Sequence, residues 1–128
     1  MHKNTVIKGL VLILLAVILG AFATHGLKEV LTEQLLDSFK VGVNYQLIIG
    51  VLVFILGLNF QRFNFPINLP VNLIFIGVCV FSISIYLLNL LPKGIFRSIM
   101  GPITPLGGLL MIMGIAVLLW KVIKLEKK

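Results

Sequence analysis

The chain has 128 residues, of which 59% are hydrophobic and 12% charged, with 11 Lys and Arg against 4 Asp and Glu and a formal net charge of +7. With a mean hydropathy of +1.15, this composition excludes an ordinary soluble domain and leaves no room for a separate soluble module. The basic residues lie at the ends of apolar runs rather than along one face, which argues against nucleic-acid binding and favours the flanks of membrane spans.

Four long apolar runs occupy most of the chain. Each is about 20 residues long, the length a helix needs to cross roughly 30 Å of hydrocarbon at about 1.5 Å per residue. The runs are 6–24, 41–60, 71–91 and 103–122. They predict an all-α integral membrane protein with four transmembrane helices in a single domain over residues 1–128. The first run exceeds the roughly 7–15-residue core of a signal peptide, so we expect it to be a retained helix.

Residues 27–40, between the first two runs, predict a short amphipathic helix. Apolar and acidic residues each recur there every four positions, as Leu27, Leu31, Leu35 and Phe39 on one stripe and Glu29, Glu33 and Asp37 on the other. About 14 residues are too few to span a membrane. The segment is therefore expected either to lie in the outer interface, with its leucines in lipid or against the bundle, or simply to connect the two spans.

The distribution of basic residues predicts the orientation of the chain. With four spans, both termini and the loop after the second span share one side of the membrane. Seven basic residues lie on that side and four on the other: Lys3, Lys8, Arg62, Lys121, Lys124, Lys127 and Lys128 against Lys28, Lys40, Lys93 and Arg97. Because Lys and Arg accumulate on the cytoplasmic side, we expect both termini in the cytoplasm and the protein in a cell membrane, plasma or inner.

Polar residues within the runs gather in the half of the membrane away from the termini. The candidates are His25, Tyr45, Gln46, Ser82, Ser84, Tyr86 and Thr104, together with Gly107 and Gly108. Such groups cost free energy in hydrocarbon unless they find partners. One interpretation is a ligand pocket in which His25 and Thr104 orient a polar head, Tyr86 supplies an aromatic wall and the glycines give access to the backbone. The alternative is that these residues only hydrogen-bond between helices.

Several kinds of function lack the residues they need. No Asp or Glu lies within an apolar run, which argues against proton- or sodium-coupled transport. The runs also lack an acidic pair and a nucleophile–base–acid set, so we expect no enzymatic activity. One cysteine, Cys79, and two histidines can form neither an internal disulfide nor a standard structural zinc site. We therefore expect no metal and no cofactor.

The same polar stretches resemble the motifs of a known family. Residues 20–28 read Gly-Ala-Phe-Ala-Thr-His-Gly-Leu-Lys, similar to the family's Gly-Ala-Phe-x-Ala-His-Gly-Leu signature. Tyr45 and Gln46 resemble its Tyr-Gln pair, residues 81–87 its Phe-Ser-Gly-Ser-Leu-Tyr segment, and residues 103–108 its Thr-Pro-x-Gly-Gly motif. The family is domain of unknown function 423, which includes the bacterial YgdD and YwdK proteins and vertebrate transmembrane protein 256. The resemblance implies a small four-helix membrane protein and no established activity.

Three positions depart from the family's motifs. Ile49 stands where a second His is usual, Ile83 replaces the Gly between the two serines, and Thr24 replaces an Ala. The missing His weakens any metal site that the resemblance would imply.

The sequence thus favours a polytopic membrane protein, expected to be a homo-oligomer, that binds a lipid-like or small neutral ligand in a polar pocket. Its expected partners are membrane lipid and further copies of the chain, without nucleic acid or metal. Two alternatives stay open. One is a scaffold or assembly protein without a ligand, and the other is a passive channel or carrier for a small neutral solute.

Overall fold

The computed structural model describes residues 1–92 and 94–125, and all the regular structure in this part of the chain is helical. The helices are α1 (Lys3–His25), α2 (Glu33–Leu58), α3 (Asn68–Leu90), α4 (Ile95–Met100) and α5 (Ile103–Leu125). By length and composition α1, α2, α3 and the segment Ile95–Leu125 can each cross a membrane. The predicted all-α fold with four spanning helices is confirmed.

The four long helices pack in the order of the chain. α1 and α2 form one antiparallel hairpin, α3 and α5 form a second, and α2 packs against α3 to join the two. Within the described residues, α1 and α5 share no extensive contact. All four helices contribute to the main apolar core, whose buried members are Leu12, Ile49, Val53, Ile74, Val78 and Met111. The arrangement defines a connector end, where α1 leads to α2 and α3 leads to α5, and a terminal end, which holds both termini and the α2–α3 loop.

Glycine sets the same close helix approach in both hairpins. A Cβ added to Gly9 would lie 2.5 Å from the backbone nitrogen of Phe54, and one added to Gly77 would lie 2.6 Å from that of Met111. Each contact falls between two further glycines seven residues apart on the second helix, Gly50 and Gly57 on α2 and Gly107 and Gly114 on α5. Larger residues would force the helices apart. The two hairpins therefore share this glycine packing pattern, although their sequences do not form an overall repeat.

The connection from α1 to α2 differs from the separate amphipathic helix predicted over residues 27–40. Leu27–Glu29 forms one turn of 3-10 helix, and α2 then runs without interruption from Glu33 to Leu58. Thr32 caps α2, because its Oγ1 accepts a hydrogen bond from the backbone N–H of Leu35 at 3.3 Å. Glu33 adds negative charge to the first turn, where the helix dipole favours it. This cap divides the predicted helix in two.

The apolar stripe of residues 27–40 packs against the protein rather than lying free in the interface. Leu27 and Phe39 are buried, and both join a second core cluster with Ala16 and Ala23 of α1. Phe39 is fully buried and its ring lies 4.8 Å, centroid to centroid, from that of Tyr86 on α3. The stripe therefore fixes the connector end of α2 between α1 and α3.

Candidate functional site

The nine residues predicted to line a pocket do not surround one cavity. Five of them lie between helices and hydrogen-bond to neighbouring helices, and we call this set the inner polar network: Gln46, Ser82, Ser84, Tyr86 and Thr104. The other four are His25, Tyr45, Gly107 and Gly108. The two groups have different surroundings and are described in turn.

Gln46 joins three helices. Its Nε2 donates to the backbone carbonyl of Leu12 on α1 at 3.0 Å. Its Oε1 accepts from the Tyr86 hydroxyl of α3 at 2.6 Å. Gln46 is only 5% exposed, so both bonds form away from competing water. Each partner would otherwise place a polar group in hydrocarbon, and the side chain therefore stabilises the α1–α2–α3 contact.

The serines of α3 bond in opposite directions. Ser82 donates to the carbonyl of Gly42 on α2 at 2.9 Å. Ser84 donates to the carbonyl of Phe81 in its own helix at 2.8 Å, and its Oγ lies 2.6 Å from Oγ1 of Thr104 on α5. Because a hydroxyl carries one hydrogen, Thr104 must be the donor in that second bond. Ser82 thus ties α3 to α2, and Ser84 ties it to α5.

The buried polar atoms of the inner polar network are all hydrogen-bonded. No buried side-chain nitrogen or oxygen in the described part of the chain lacks a hydrogen-bond partner. Each buried polar atom of the network therefore has at least one partner within the protein. The geometry of these five residues is that of contacts that hold helices together.

The other four predicted residues lie outside the network. His25 is exposed at the end of α1. Tyr45 is 48% exposed and meets the edge of the Phe81 ring at 5.1 Å. Tyr45, Phe81 and Gly108 share an apolar cavity of about 200 Å³ between α2, α3 and α5. Gly107 instead packs against the backbone of Phe81 so closely that a Cβ would overlap it, which leaves no space there for a ligand.

The connector end holds a larger polar cavity. Its volume is about 420 Å³, and its lining residues come from the start of α2, the end of α3 and α4: Thr32, Gln34, Leu35, Ser38, Asn89 and Arg97. We call it the connector-end cavity. It contains none of the nine predicted residues. Polar groups from three separate segments therefore converge where the sequence alone showed only loops and helix ends.

Asn89 and Arg97 give this cavity its chemistry. Asn89 is 6% exposed, and its Nδ2 donates to Ser38 Oγ at 3.1 Å and to the carbonyl of Ile85 at 2.8 Å. Both amide hydrogens are thus occupied, and the carboxamide oxygen is left to accept. Among the six lining residues Arg97 alone carries charge. Its guanidinium is a planar donor suited to carboxylate or phosphate.

The acidic residues of this end line a different cavity. Glu33 and Asp37 face a space of about 350 Å³ together with Lys28 and Lys40. Carboxylates and ammonium groups are therefore mixed on one side of the first turns of α2, whereas Arg97 faces the other side. An anion that approaches the connector-end cavity meets the guanidinium and neutral polar groups.

An apolar groove also reaches α4. It has a volume of about 270 Å³ and follows the α3–α5 seam, with the lining residues Cys79, Val80, Ile83, Ser84, Leu87, Met100 and Ile103. α4 borders both spaces, because Arg97 lines the polar cavity and Met100 lines the groove.

Sequence patterns concealed the connector-end cavity for specific reasons. Arg97 counted as one of the basic residues that flank spans, and Thr32, Gln34 and Ser38 lay within the predicted amphipathic helix. Asn89 was visible as a polar residue near the end of the third run. The signal that could have drawn attention to it is its position directly before the last residue of α3, eight residues before Arg97.

No three or more His, Cys, Asp or Glu side chains come together as a possible metal site in the described ranges 1–92 and 94–125. The donors at the connector-end cavity are hydroxyls, amides and a guanidinium. This set suits a hydrogen-bonding or anionic organic group rather than a transition metal, which prefers imidazole and thiolate ligands.

Comparison with known proteins identifies relatives over most of the chain. A UPF0382 membrane protein of Staphylococcus haemolyticus, SH2409, is 36% identical over 112 residues, covering 88% of each chain. The UPF0382 membrane protein C1782.12c of Schizosaccharomyces pombe is 39% identical over 83% of this chain and 90% of its own. YwdK of Bacillus subtilis, also named a UPF0382 membrane protein, is 33% identical over 83% and 85%. No solved structure matches the chain.

The family described as "Protein of unknown function (DUF423)" matches residues 19–108. This range contains all four motifs that carried the resemblance. The relatives are named membrane proteins, and four helices here are long and apolar enough to span. The chain is a multi-pass membrane protein that belongs to the DUF423 family.

Proposed function

We propose that this protein binds a lipid-like molecule with an anionic head at its connector end. The observation that carries the proposal is that α4 contributes to the lining of both a polar cavity, through Arg97, and an apolar groove, through Met100. A single amphiphile could place its head in the cavity beside Arg97 and its tail in the groove beside Met100. The proposal keeps the lipid-like ligand expected from the sequence and moves its site.

The head would be held by a guanidinium and neutral hydrogen-bonding groups. Arg97 supplies charge and paired donors, and the Ser38 hydroxyl, which accepts from Asn89, keeps its own hydrogen to donate to the head. A phosphate or carboxylate head matches this set, because Arg binds such groups through two parallel hydrogen bonds. A cavity of about 420 Å³ is within the usual range for small-molecule sites.

The tail would follow the α3–α5 groove. The surface of this groove is almost entirely apolar, and its wall includes Val80, Ile83 and Leu87 from α3. Burying methylene groups against such side chains contributes about 0.8 kcal/mol each. The gain within a membrane is smaller, since the tail leaves lipid rather than water. Specificity would therefore come from the head.

The two alternatives from the sequence are favoured less by the geometry. A channel or carrier within one copy needs a continuous polar path, but the core cluster of Leu12, Ile49, Val53, Ile74, Val78 and Met111 fills the interior between the helices. A scaffold without ligand accounts for the inner polar network, yet it leaves the connector-end cavity without a role. The proposed homo-oligomer is compatible with either function and is measured in the same experiment.

Native mass spectrometry of the protein released from its own membrane tests the proposal. We expect a reproducible non-protein mass that is retained by the wild type and lost by Arg97→Gln. Arg62→Gln is the matched control, because Arg62 is exposed at the terminal end and its loss should leave the bound mass in place. The same spectra give the number of copies in the assembly.

A titration with dodecyl phosphate in a neutral maltoside detergent supplies the affinity. Hydrogen bonds to charged groups contribute about 1.5–3 kcal/mol, so Arg97→Gln should weaken binding by roughly 10-fold or more while the helical content stays unchanged. Equal binding by the wild type and Arg97→Gln would contradict the proposal. An assembly that carries no additional mass and does not bind the probe would favour the scaffold.

A further inference from the structure

A second cluster of charge lies at the opposite, terminal end of the molecule. It surrounds a cavity of about 310 Å³ lined by Asn64, Phe65, Lys121, Lys124 and Leu125, which we call the terminal-end cavity. Two segments build it, the loop before α3 and the last turns of α5. None of its residues takes part in the proposed function at the connector end.

Contacts with aromatic and backbone groups orient the two lysines. Lys121 Nζ donates to the carbonyl of Pro66 at 2.8 Å and lies 5.7 Å from the centre of the Phe65 ring. Lys124 Nζ lies 4.1 Å from the centre of the Trp120 ring. These contacts hold both ammonium groups beside the cavity while hydrogens remain free on each, since an ammonium has three donors.

Lysines in the last turn of a helix also stabilise its terminal carbonyl groups, and that role alone would need no cavity. Among the described residues, Lys121 does not bond to a carbonyl group of its own helix. Its Nζ donates instead to the carbonyl of Pro66, a residue of the α2–α3 loop. The bond draws the ammonium across to the loop that lines the cavity. Asn64 and Lys124, which also line it, are both exposed.

The position of the cavity indicates what could occupy it. Tryptophan and lysine next to the end of a spanning helix are typical of the headgroup region of a membrane. Basic side chains there attract anionic lipids. Asn64 adds an amide, which can donate to a phosphate oxygen or accept from a headgroup hydroxyl. The predicted cytoplasmic side of the chain, with its excess of Lys and Arg, is also the side on which anionic lipids concentrate.

We infer that the terminal-end cavity binds the phosphate of an anionic phospholipid headgroup between Lys121 and Lys124. The site differs in position, residues and membrane face from the connector-end cavity. It would tie the last helix to a lipid of the leaflet around the termini.

Trp120 allows a direct test, because it is the single tryptophan of the chain and its ring contacts Lys124. The full chain is reconstituted into vesicles that contain brominated phosphatidylglycerol or brominated phosphatidylcholine, and quenching of Trp120 reports which lipid lies beside it. Signals are normalised to vesicles of the same unbrominated lipids. We expect quenching by the anionic lipid to saturate at a lower mole fraction, with a preference on the order of 10-fold.

Substitution of both lysines should remove that preference. In Lys121→Gln with Lys124→Gln the ratio of anionic to zwitterionic quenching should fall to near one, and in Lys121→Arg with Lys124→Arg it should be retained. Lys28→Gln with Lys40→Gln is the matched control, because these lysines lie at the connector end. Equal quenching by both lipids in the wild type, or an unchanged preference in the double glutamine variant, would overturn the inference.

Inorganic phosphate distinguishes the two sources of the same chemical group. If the wild type shows no lipid preference but binds inorganic phosphate, and the double glutamine variant does not, the cavity takes free phosphate and the lipid assignment is wrong. If neither phosphate nor chloride at equal ionic strength displaces the brominated phosphatidylglycerol, the headgroup is the occupant. Arg97→Gln should leave every result of this experiment unchanged, so failure here and failure of the connector-end proposal can be told apart.

Discussion

The inner polar network and the connector-end cavity contain the same kinds of residue in different surroundings. Both contain glutamine, serine and threonine, yet the network residues hydrogen-bond between packed helices, whereas the cavity residues line open space. Gln46 is buried and bonds to α1 and α3, whereas Gln34, three turns earlier on the same helix, is exposed and lines the cavity. Residue type therefore says little about function until the neighbouring helix is known.

The spacing between helices explains the difference. In the middle of the bundle, glycines bring the backbones together, and each polar side chain reaches a partner on the next helix. At the connector end α2 begins, α3 ends and the short α4 intervenes. The ends of three elements cannot pack side by side as continuous helices do, so space remains between their polar side chains. The closely packed region holds the helices together, and the open region at the connector end is where we propose that a ligand binds.

The largest expected effect comes from adding a single methyl group to α5, where the helices pack closely. Gly107→Ala places a Cβ against the backbone of Phe81 and should cost about 1–3 kcal/mol of stability, as overpacking of a close contact does. Gly108→Ala is the control, because its Cβ would lie 3.8 Å from a ring carbon of Phe81, an ordinary contact. Unfolding by SDS titration from neutral micelles measures both. Equal loss in the two variants would contradict the tight packing at Gly107.

A second test exchanges two glutamines for leucine. Gln46→Leu removes the acceptor of Tyr86 and the donor to Leu12, and should lower the free energy of unfolding by about 1–2 kcal/mol. Gln34→Leu at the cavity should change stability by less than about 0.5 kcal/mol but weaken dodecyl phosphate binding. The folded fraction of Gln46→Leu should bind dodecyl phosphate with the affinity of the wild type. If the two variants exchanged these effects, the roles assigned here would be reversed.

The smallest expected effect concerns one hydroxyl pair. Thr104→Val removes the bond between Thr104 and Ser84 and should cost about 0.6 kcal/mol, the average for interhelical hydrogen bonds in membranes. Thr24→Val serves for comparison, since Thr24 is exposed and donates only to the carbonyl of Gly20 in its own helix. The Thr24→Val variant should be as stable as the wild type in the same SDS titration. A Thr104 variant as stable as the Thr24 variant would show that the α3–α5 pair adds nothing.

The elements could be predicted well, whereas the packing of their side chains against one another could not. Long apolar runs predict spanning helices because hydrocarbon forces the backbone to satisfy its own hydrogen bonds, and residues 71–91 and 103–122 correspond closely to α3 and α5. The helix predicted at 27–40 was wrong as a separate element. Its four-residue period was real, but the Thr32 cap and the burial of Leu27 and Phe39 depend on contacts with α1 and α3.

Polar residues in the spans were correctly recognised as clustered, yet their clustering did not identify a cavity. Ser84 and Thr104 are 20 positions apart and meet only because α3 and α5 form a hairpin. Arg97 and Ser38 come to one cavity from segments 59 positions apart. A period within one helix contains no information on which residue of another helix lies opposite, so hydrogen-bonded pairs and open cavities look alike in the sequence.

The sequence by itself determined that this is a multi-pass, four-span helical membrane protein, because hydrophobic length is a local property that each segment carries alone. Its motifs also determined membership of the DUF423 family. Only the tertiary structure decided which polar groups are paired and which remain open, since pairing depends on the distance between helices, and glycine contacts such as Gly9 on Phe54 and Gly77 on Met111 set that distance. The close backbone approach around the inner polar network ends where the helices end, and there space remains between the polar side chains.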